Sequence, residues 1–480
     1  MFKTKLLIWG LILGLAGCAT APRPDLSGLN SYPQLEPFKK GERVLILAPH
    51  PDDEAIACAG VIQRALKSGA QVRVVFLTNG DHNEFAFIVY EKRLTIRQGE
   101  FIHLGEVRRQ ESIRAMKFLG VAEKELIFLG YPDFGTFEIF AKYWNCARPF
   151  RDLLTRISSV PYKENPSYGA QYCGENILKD LTQQIAAYRP DKIFVSHPAD
   201  VNVDHKTLYL FLQIALSDLK DKIPAPKVYP YLVHCVGWPK PRHYHPELPL
   251  LPPEKFAGSQ LNWQRYDLTP EELARKHHSI FFYRSQTNSS AFYLLAFARR
   301  NELFSDFPEL QLKPQFPTPG QEIVYSDPSE MFEEIERLVE PQANEEIEDK
   351  GKVSYAVEGE NFIVRLDKPK KLSSRFGVLL YIFGYKHNIP FAQMPKIRII
   401  TMGRRIKVFD AKSRIIDHRV TVDFGSKALI VKIPLKLLAS PDYLLVALKA
   451  YHGHLPIDAA SFRKVVIVKE EQEHAGSGNR

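Results

Sequence analysis

The sequence predicts an α/β domain built on a mostly parallel sheet flanked by helices, followed by a C-terminal β-sandwich domain. Two observations carry this. From about residue 41, short apolar runs rich in Val, Ile and Leu alternate with amphipathic stretches of helical period, the pattern of strands buried on both faces. After about residue 310 the helical stretches stop, and short alternating strands are separated by turn signals at close, regular intervals.

Taken in order, "RVLILAP" (43–49) is a strand and "DEAIACAGVIQRALKSG" (53–69) a helix closed by Gly69. "QVRVVFLTNGD" (71–81) is a second strand, and "RRQESIRAMKFLGV" (108–121) a second helix closed by Gly120. "ELIFLGYPD" (125–133) is a third strand and "GENILKDLTQQIAAYRP" (174–190) a helix. "DKIFVSHPAD" (191–200), "HKTLYLFLQIALSDL" (205–219) and "KVYPYLVHCVGWP" (227–239) add a strand, a helix and a fifth strand. This domain is expected to run from 41 to 310. A proline-rich and then acidic linker covers 311–350, the sandwich 351–470, and a disordered tail 471–480. In the sandwich, "NFIVRLD", "FGVLLYIFGY", "KALIVKIP" and "YLLVALKAY" show the clearest alternation. The aromatics Tyr381, Phe383, Tyr385 and Phe391 fit either a sugar-binding platform or ordinary core.

Of the 480 residues, 45% are hydrophobic and 25% charged, which excludes wholesale disorder. The net charge of +9 is spread along the chain, without an Arg-Gly tract, finger spacing or basic helix, so no nucleic acid is expected as partner. The N-terminus is different. Two lysines precede an apolar stretch, Leu6 to Ala16, too short to span a bilayer and laid out like a secretory signal. Its end, "LAGC", resembles the lipobox of bacterial lipoproteins, which implies that residues 1–18 are a signal peptide and that Cys18 is lipidated. A plain signal peptide or a signal anchor are the alternatives. Ala19, with no aspartate after the cysteine, favours the outer membrane facing the periplasm. The polar segment 19–40 reads as a tether. Outside the cytoplasm a disulfide is allowed, and Cys146 with Cys173 is the best pair, while Cys58 reads as core.

In a parallel α/β sheet, ligands sit beyond the carboxyl ends of the strands. Two clusters occupy such positions. "PHPDDE" crowds His50, Asp52, Asp53 and Glu54 after the first strand, and "HPADVNVDH" places His197, Asp200, Asn202, Asp204 and His205 after the fourth. Helix capping explains one aspartate at such a junction; a divalent metal explains histidines and carboxylates together. Bound zinc lowers the pKa of a water towards neutrality, and an adjacent carboxylate can take the proton.

These paired motifs, with "TNGD", "RRQES", "LGYPD" and "KHHSIFFYRSQ" (276–286), resemble the PIG-L/LmbE-like family of zinc-dependent N-deacetylases over roughly residues 41–300. The resemblance implies a Rossmann-like fold, one zinc ion per chain on His50, Asp53 and His205, and Asp52 as general base. It places Asp204 on a carboxylate that orients a neighbouring group, and Arg108 and Asp133 on sugar contacts. For Arg108 a surface salt bridge, and for Asp133 a strand-end cap, are the alternatives. Many members carry a histidine where this chain has Asn202, a residue that donates a hydrogen bond but carries no proton. Either Asn202 alone serves the oxyanion, or His197 supplies the imidazole; His197 also fits a plain structural role. The implied reaction is removal of acetyl from an N-acetylglucosamine-type sugar or glycan, and the location favours envelope glycans and imported oligosaccharides as substrates. The competing expectation is a membrane-tethered glycan-binding protein with a non-catalytic deacetylase fold.

Cys18→Ser is expected to move the chain from the membrane to the soluble fraction, because acyl chains rather than the short apolar stretch make the anchor. A mutant that stays in the membrane fraction with residues 1–18 uncleaved would indicate a signal anchor instead.

Overall fold

The computed structural model describes residues 27–82, 98–256, 259, 261–312, 321–322, 351–453 and 455–468. Cys18 with the expected signal peptide, most of the linker 311–350 and the tail 471–480 lie outside the described residues. Among the described residues no helix is long and apolar enough to cross a membrane.

Five parallel strands form the first sheet: β1 (Arg43–Ala48), β2 (Gln71–Thr78), β3 (Leu126–Tyr131), β4 (Lys192–Ser196) and β5 (Lys227–Tyr231). Their order is β3-β2-β1-β4-β5. Strand β1 shows why both faces are covered. Val44 and Ile46 enter one hydrophobic core, Leu45 and Leu47 the other. Helices α1 (Asp53–Lys67) and α2 (Gln98–Leu119) close the first face, with Ile56, Ile62, Ile113 and Met116 in that core. The second face is covered by α3 (Thr136–Lys142), α4 (Gly174–Tyr188) and α5 (Val203–Asp218), through Phe140, Ile177, Leu181 and Phe211. The direction of winding reverses between β1 and β4. That reversal opens a crevice at their carboxyl ends, the position where ligands bind in open α/β sheets.

The chain then forms an antiparallel pair, β6 (Trp263–Asp267) with β7 (Asn301–Ser305), around helices α6 (Pro270–Ile280) and α7 (Arg284–Leu294). Helix α6 starts at a complete capping box, Thr269 with Glu272. The end of the expected tether is packed on this part. Leu35 and Phe38 are buried in the first core, and Leu35 donates its N–H to the Arg265 carbonyl at 2.8 Å. Cys146 and Cys173 form a disulfide, and Cys58 and Cys235 are free and buried.

The C-terminal region is a two-sheet sandwich. A sheet of five strands runs β16 (Thr421–Phe424), β17 (Ala428–Pro434), β11 (Asn361–Asp367), β10 (Lys352–Glu358) and β9 (Gln321–Glu322). The facing sheet of seven runs β15 (Ser413–Ile415), β14 (Arg405–Asp410), β13 (Lys396–Met402), β12 (Phe376–Tyr385), β18 (Tyr443–His452), β19 (Leu455–Ile467) and β8 (Leu310–Leu312). Strand alternation decides where the aromatics go. Val378, Leu380 and Ile382 point into the sandwich core with Leu444, Val446 and Leu448. The opposite side of the same strands carries Phe383, Tyr385, Tyr443 and Leu445, all buried in the core that contains α3 and α5. Of the two readings of these aromatics, ordinary core holds and the sugar platform does not. Phe383 is fully buried and Tyr385 and Phe391 nearly so, while Tyr381 packs on Phe137 at 5.2 Å. Tyr385 donates to Asp218 at 2.9 Å, and Tyr443 meets Ser217 at 3.1 Å. These rings join the two domains.

Candidate metal centre and catalytic site

The loop after β1 and the start of α5 bring His50, Asp53 and His205 together, with donor atoms all within 4.8 Å of one another. Asp53 is the common point. Its Oδ2 lies 3.3 Å from His50 Nδ1 and 3.2 Å from His205 Nε2, and it accepts the His50 backbone N–H at 3.0 Å. A tetrahedral zinc site with bonds of about 2.0–2.1 Å spaces its donors about 3.3 Å apart. These separations fit that spacing.

The outer nitrogen of each imidazole is occupied. His50 Nε2 faces Asp133 Oδ1 at 3.0 Å and Asp204 Oδ2 at 3.2 Å; His205 Nδ1 faces Asp200 Oδ2 at 3.1 Å. A carboxylate on the outer nitrogen puts the proton there and leaves the inner lone pair for a metal. A second group, His50 with Asp133 and Asp204, is also compact enough for an ion. It serves instead to hold His50, because Asp204 already accepts from Phe134 N at 2.6 Å, Thr136 N at 3.3 Å and the Thr136 hydroxyl. Asp200 is held in the same way, by the N–H groups of Asn202 (2.9 Å), Val233 (3.1 Å) and His234 (2.9 Å).

The balance of charge shows what the site calls for. Burial alone would lower both imidazoles, yet Asp133, Asp204 and Asp53 hold His50 well above its usual range, and Asp200 and Asp53 push His205 up to about 9. Burial would raise Asp53, but His205 and His50 hold its carboxyl well below the usual range. The group of buried carboxylates thus recruits positive charge onto both rings. A divalent cation satisfies the same demand with the inner nitrogens as ligands.

Asp52 stands apart from the three donors. It occupies the N-cap position of α1 with φ of 113°, and its side chain makes no capping hydrogen bond. The capping explanation therefore fails for this aspartate. Such a backbone is costly for a residue with a Cβ and persists only where the surroundings hold it. Here the Asp52 N–H donates to Glu54 Oε2 at 3.0 Å, and its carbonyl accepts from Ala55 and Ile56, each at 3.0 Å. The Glu54 carboxyl in turn accepts from the Tyr283 hydroxyl. Burial pushes Asp52 up to about 7, against the pull of Arg108 and with the push of Asp53, and burial pushes Glu54 up to about 8.

Arg108 is buried, not a surface salt-bridge residue. Its guanidinium donates to the carbonyls of Gly80 and Pro51, each at 2.8 Å, and reaches Asp52 Oδ2 at 3.3 Å. Asp133 accepts from His82 N at 3.1 Å besides holding His50, so it is more than a strand-end cap. Asn202 is the N-cap of α5, and its carbonyl oxygen accepts from Asp204 N at 2.8 Å. His197 is not among the groups brought to the site. It is fully buried, its Nδ1 accepts from Ala199 N at 2.9 Å, and its ring is walled by Phe256, Trp263 and Phe307. Burial, reinforced by Arg463, lowers it to about 3. The expectation that it supplies an imidazole to the oxyanion is corrected by this aromatic enclosure.

The first described stretch of this architecture matches a known family. The profile described as PIG-L, GlcNAc-PI de-N-acetylase, covers residues 45–216, from β1 through α5. The chain carries a PIG-L domain. It is 30% identical over 132 residues to a diacetylchitobiose deacetylase of Thermococcus kodakarensis, covering 27% of this chain and 40% of that protein. It is 35% identical over 81 residues to a 1D-myo-inositol 2-acetamido-2-deoxy-α-D-glucopyranoside deacetylase of Corynebacterium glutamicum, covering 17% of this chain and 27% of that one. The matches thus span well under half the length of these two relatives. Among solved structures, the N,N'-diacetylchitobiose deacetylase from Pyrococcus horikoshii is similar at 19% identity and a TM-score of 0.31, over 54% of this chain and 76% of that one.

His234 was not singled out from sequence, and the pairings of Tyr283 and Ser285, although both lie in the segment 276–286, were not foreseen. His234, just past β5, stands edge-on to His205 with ring centroids 4.8 Å apart and stacks on Tyr293 at 5.9 Å. Its place beyond a parallel strand end was the available signal. The Tyr283 and Ser285 contacts were hidden because their partners are remote in sequence: Tyr283 binds Glu54, and Ser285 donates through N and Oγ to Glu111 at 2.9 and 2.6 Å.

Elemental analysis of purified variants checks the ligand set. His205→Ala is expected to lose most bound metal, while His197→Gln retains as much as wild type. Wild-type metal content in His205→Ala would contradict the assignment.

Proposed function

We propose that the protein is a zinc-dependent N-deacetylase that releases acetate from an N-acetylglucosamine-type sugar or glycoconjugate. The observation that carries the reading is the convergence of His50 Nδ1, Asp53 Oδ2 and His205 Nε2, with the buried Asp52 carboxyl near enough to interact electrostatically with all three. The named activities of the two relatives, both deacetylases of acetylated amino sugars, support the reaction class.

His50, Asp53 and His205 would hold the ion, which when bound supplies a Lewis acid for the acetyl carbonyl and lowers the pKa of a water. The chain's own groups account for the proton. Asp52, held by Arg108 and by its N–H bond to Glu54, takes the proton as water oxygen bonds to the acetyl carbon. It returns that proton to the nitrogen as the C–N bond breaks, leaving acetate and a free amine. The Asp52 backbone conformation matters here. Side chains of consecutive residues leave the chain in different directions, so Asp53 serves the metal while Asp52 serves the water. Of the two groups expected at the oxyanion, Asn202 alone remains on this rim, with its carbonyl committed to the α5 cap and its amide N–H₂ as the donor end.

The location reading is that the chain is lipid-anchored through Cys18 in a bacterial envelope, acting on envelope glycans. It rests on "LAGC" at the end of the apolar stretch, and the Cys146–Cys173 disulfide suits an oxidising compartment.

Acetate release from a chitooligosaccharide panel tests the activity. Asp52→Asn is expected to keep its metal and lose about 100-fold or more in kcat, the scale of a missing general base. Near-wild-type turnover in that variant, metal retained, would remove Asp52 from this role.

A further inference from the structure

The PIG-L site is shaped from behind by one short loop. Asp133 Oδ1 lies 3.0 Å from His50 Nε2, and Phe134 and Thr136 present two N–H groups and a hydroxyl to Asp204. Asp204 in turn lies 3.2 Å from the same nitrogen. Phe134 adopts φ of 55°, a left-handed conformation that a residue with a Cβ keeps only under external restraint. Something must hold this loop in place.

Its continuation is α3, a helix of seven residues. So short a helix has no stability of its own and takes its position from what packs on it. One side of that packing is α5, where Phe211 stands 5.0 Å from Phe140. The other side belongs to the β-sandwich. Phe137, next to Thr136 in sequence, meets Tyr381 at 5.2 Å and Phe462 at 5.9 Å. Phe140 meets Phe383 edge-on at 5.3 Å and Phe391 at 5.7 Å. Phe383 and Phe462 stack on each other at 5.9 Å, so the sandwich presents a continuous aromatic wall.

We infer that the C-terminal β-sandwich is a positioning element of the PIG-L site: through Tyr381, Phe383 and Phe462 it clamps Phe137 and Phe140, and so sets the 133–136 loop that orients His50. The chain of contact is short. One peptide separates the clamped Phe137 from Thr136, whose N–H and hydroxyl both end on Asp204. The sandwich contributes no ligand and no proton; its route to His50 runs through α3, while Tyr385 and Tyr443 touch α5 towards its far end, on Asp218 and Ser217. The inference rests on His50, Asp53 and His205 being a metal site.

The test uses the soluble full chain beginning after residue 18, stripped of metal by chelation and titrated with Zn²⁺ alone in a calorimeter. Tyr381→Ala and Phe383→Ala are compared with wild type and with Val431→Ala. Val431 is fully buried in the sandwich core but lies on β17, in the sheet remote from α3. Thermal unfolding confirms that each variant is folded at the titration temperature. Should Phe383→Ala fail to fold, Tyr381→Ala carries the test, because Tyr381 is partly exposed. Expected is a fall of about 10- to 100-fold in Zn²⁺ affinity for the clamp variants, the scale for partners that orient a ligand. Val431→Ala should bind as wild type does, and Phe383→Leu, which refills most of the volume, should recover much of the affinity. In turnover assays the clamp variants should lose kcat with KM unchanged. Wild-type Zn²⁺ affinity in both clamp variants would overturn the inference, as would an equal loss in Val431→Ala. Failure of the wild-type chain to bind Zn²⁺ at all would instead remove the metal site on which it rests.

Discussion

The structure depends on the burial of six carboxyl groups around two imidazoles. Asp52, Asp53, Glu54, Asp133, Asp200 and Asp204 all lie at 8% exposure or less, clustered at the carboxyl ends of parallel strands. Removing carboxylates from water is tolerated only where hydrogen bonds and positive charge replace hydration. Backbone N–H groups supply part of that replacement, through the 134–136 and 233–234 segments. Arg108 supplies one fixed charge beside Asp52. His50 and His205 are left to balance the others, and the proposed divalent cation between them would complete the balance.

That demand explains the surrounding architecture. The crevice between β1 and β4 brings together loops that are about 150 residues apart, and each loop must then be held. Glu54 and Tyr283 hold the strained Asp52; Asp200 ties the end of β5 to His205. The sandwich closes the last side, pressing on the helix that follows the Asp133 loop. The two domains are joined by one face of β12, β18 and β19, whose other face fills the sandwich core.

Much of this was legible in the residues. The strand periods gave the parallel sheet, because apolar side chains on alternating faces are a local property of β1. The rule that sites gather at strand ends singled out the two clusters, and the choice of His50, Asp53 and His205 within them came from the resemblance to the PIG-L/LmbE-like family. What the sequence could not show was direction and distance. His197 sits one residue past β4, yet its ring turns to an aromatic enclosure formed by residues 59 to 110 positions later. Glu54 reads as one more acid in "PHPDDE", and its role appears only with Tyr283, 229 residues away. The aromatics of β12 alternate as a platform would; burial against α3 and α5 depends on docking that no local pattern encodes.

The most direct measurement is thermal unfolding of the chelator-treated soluble chain as Zn²⁺ is added. A cation that balances the buried carboxylates binds the folded state selectively and stabilises it by mass action. The melting temperature is predicted to rise with added Zn²⁺, the steep part of the titration ending at one ion per chain. A melting temperature that is the same with and without Zn²⁺ would contradict the account.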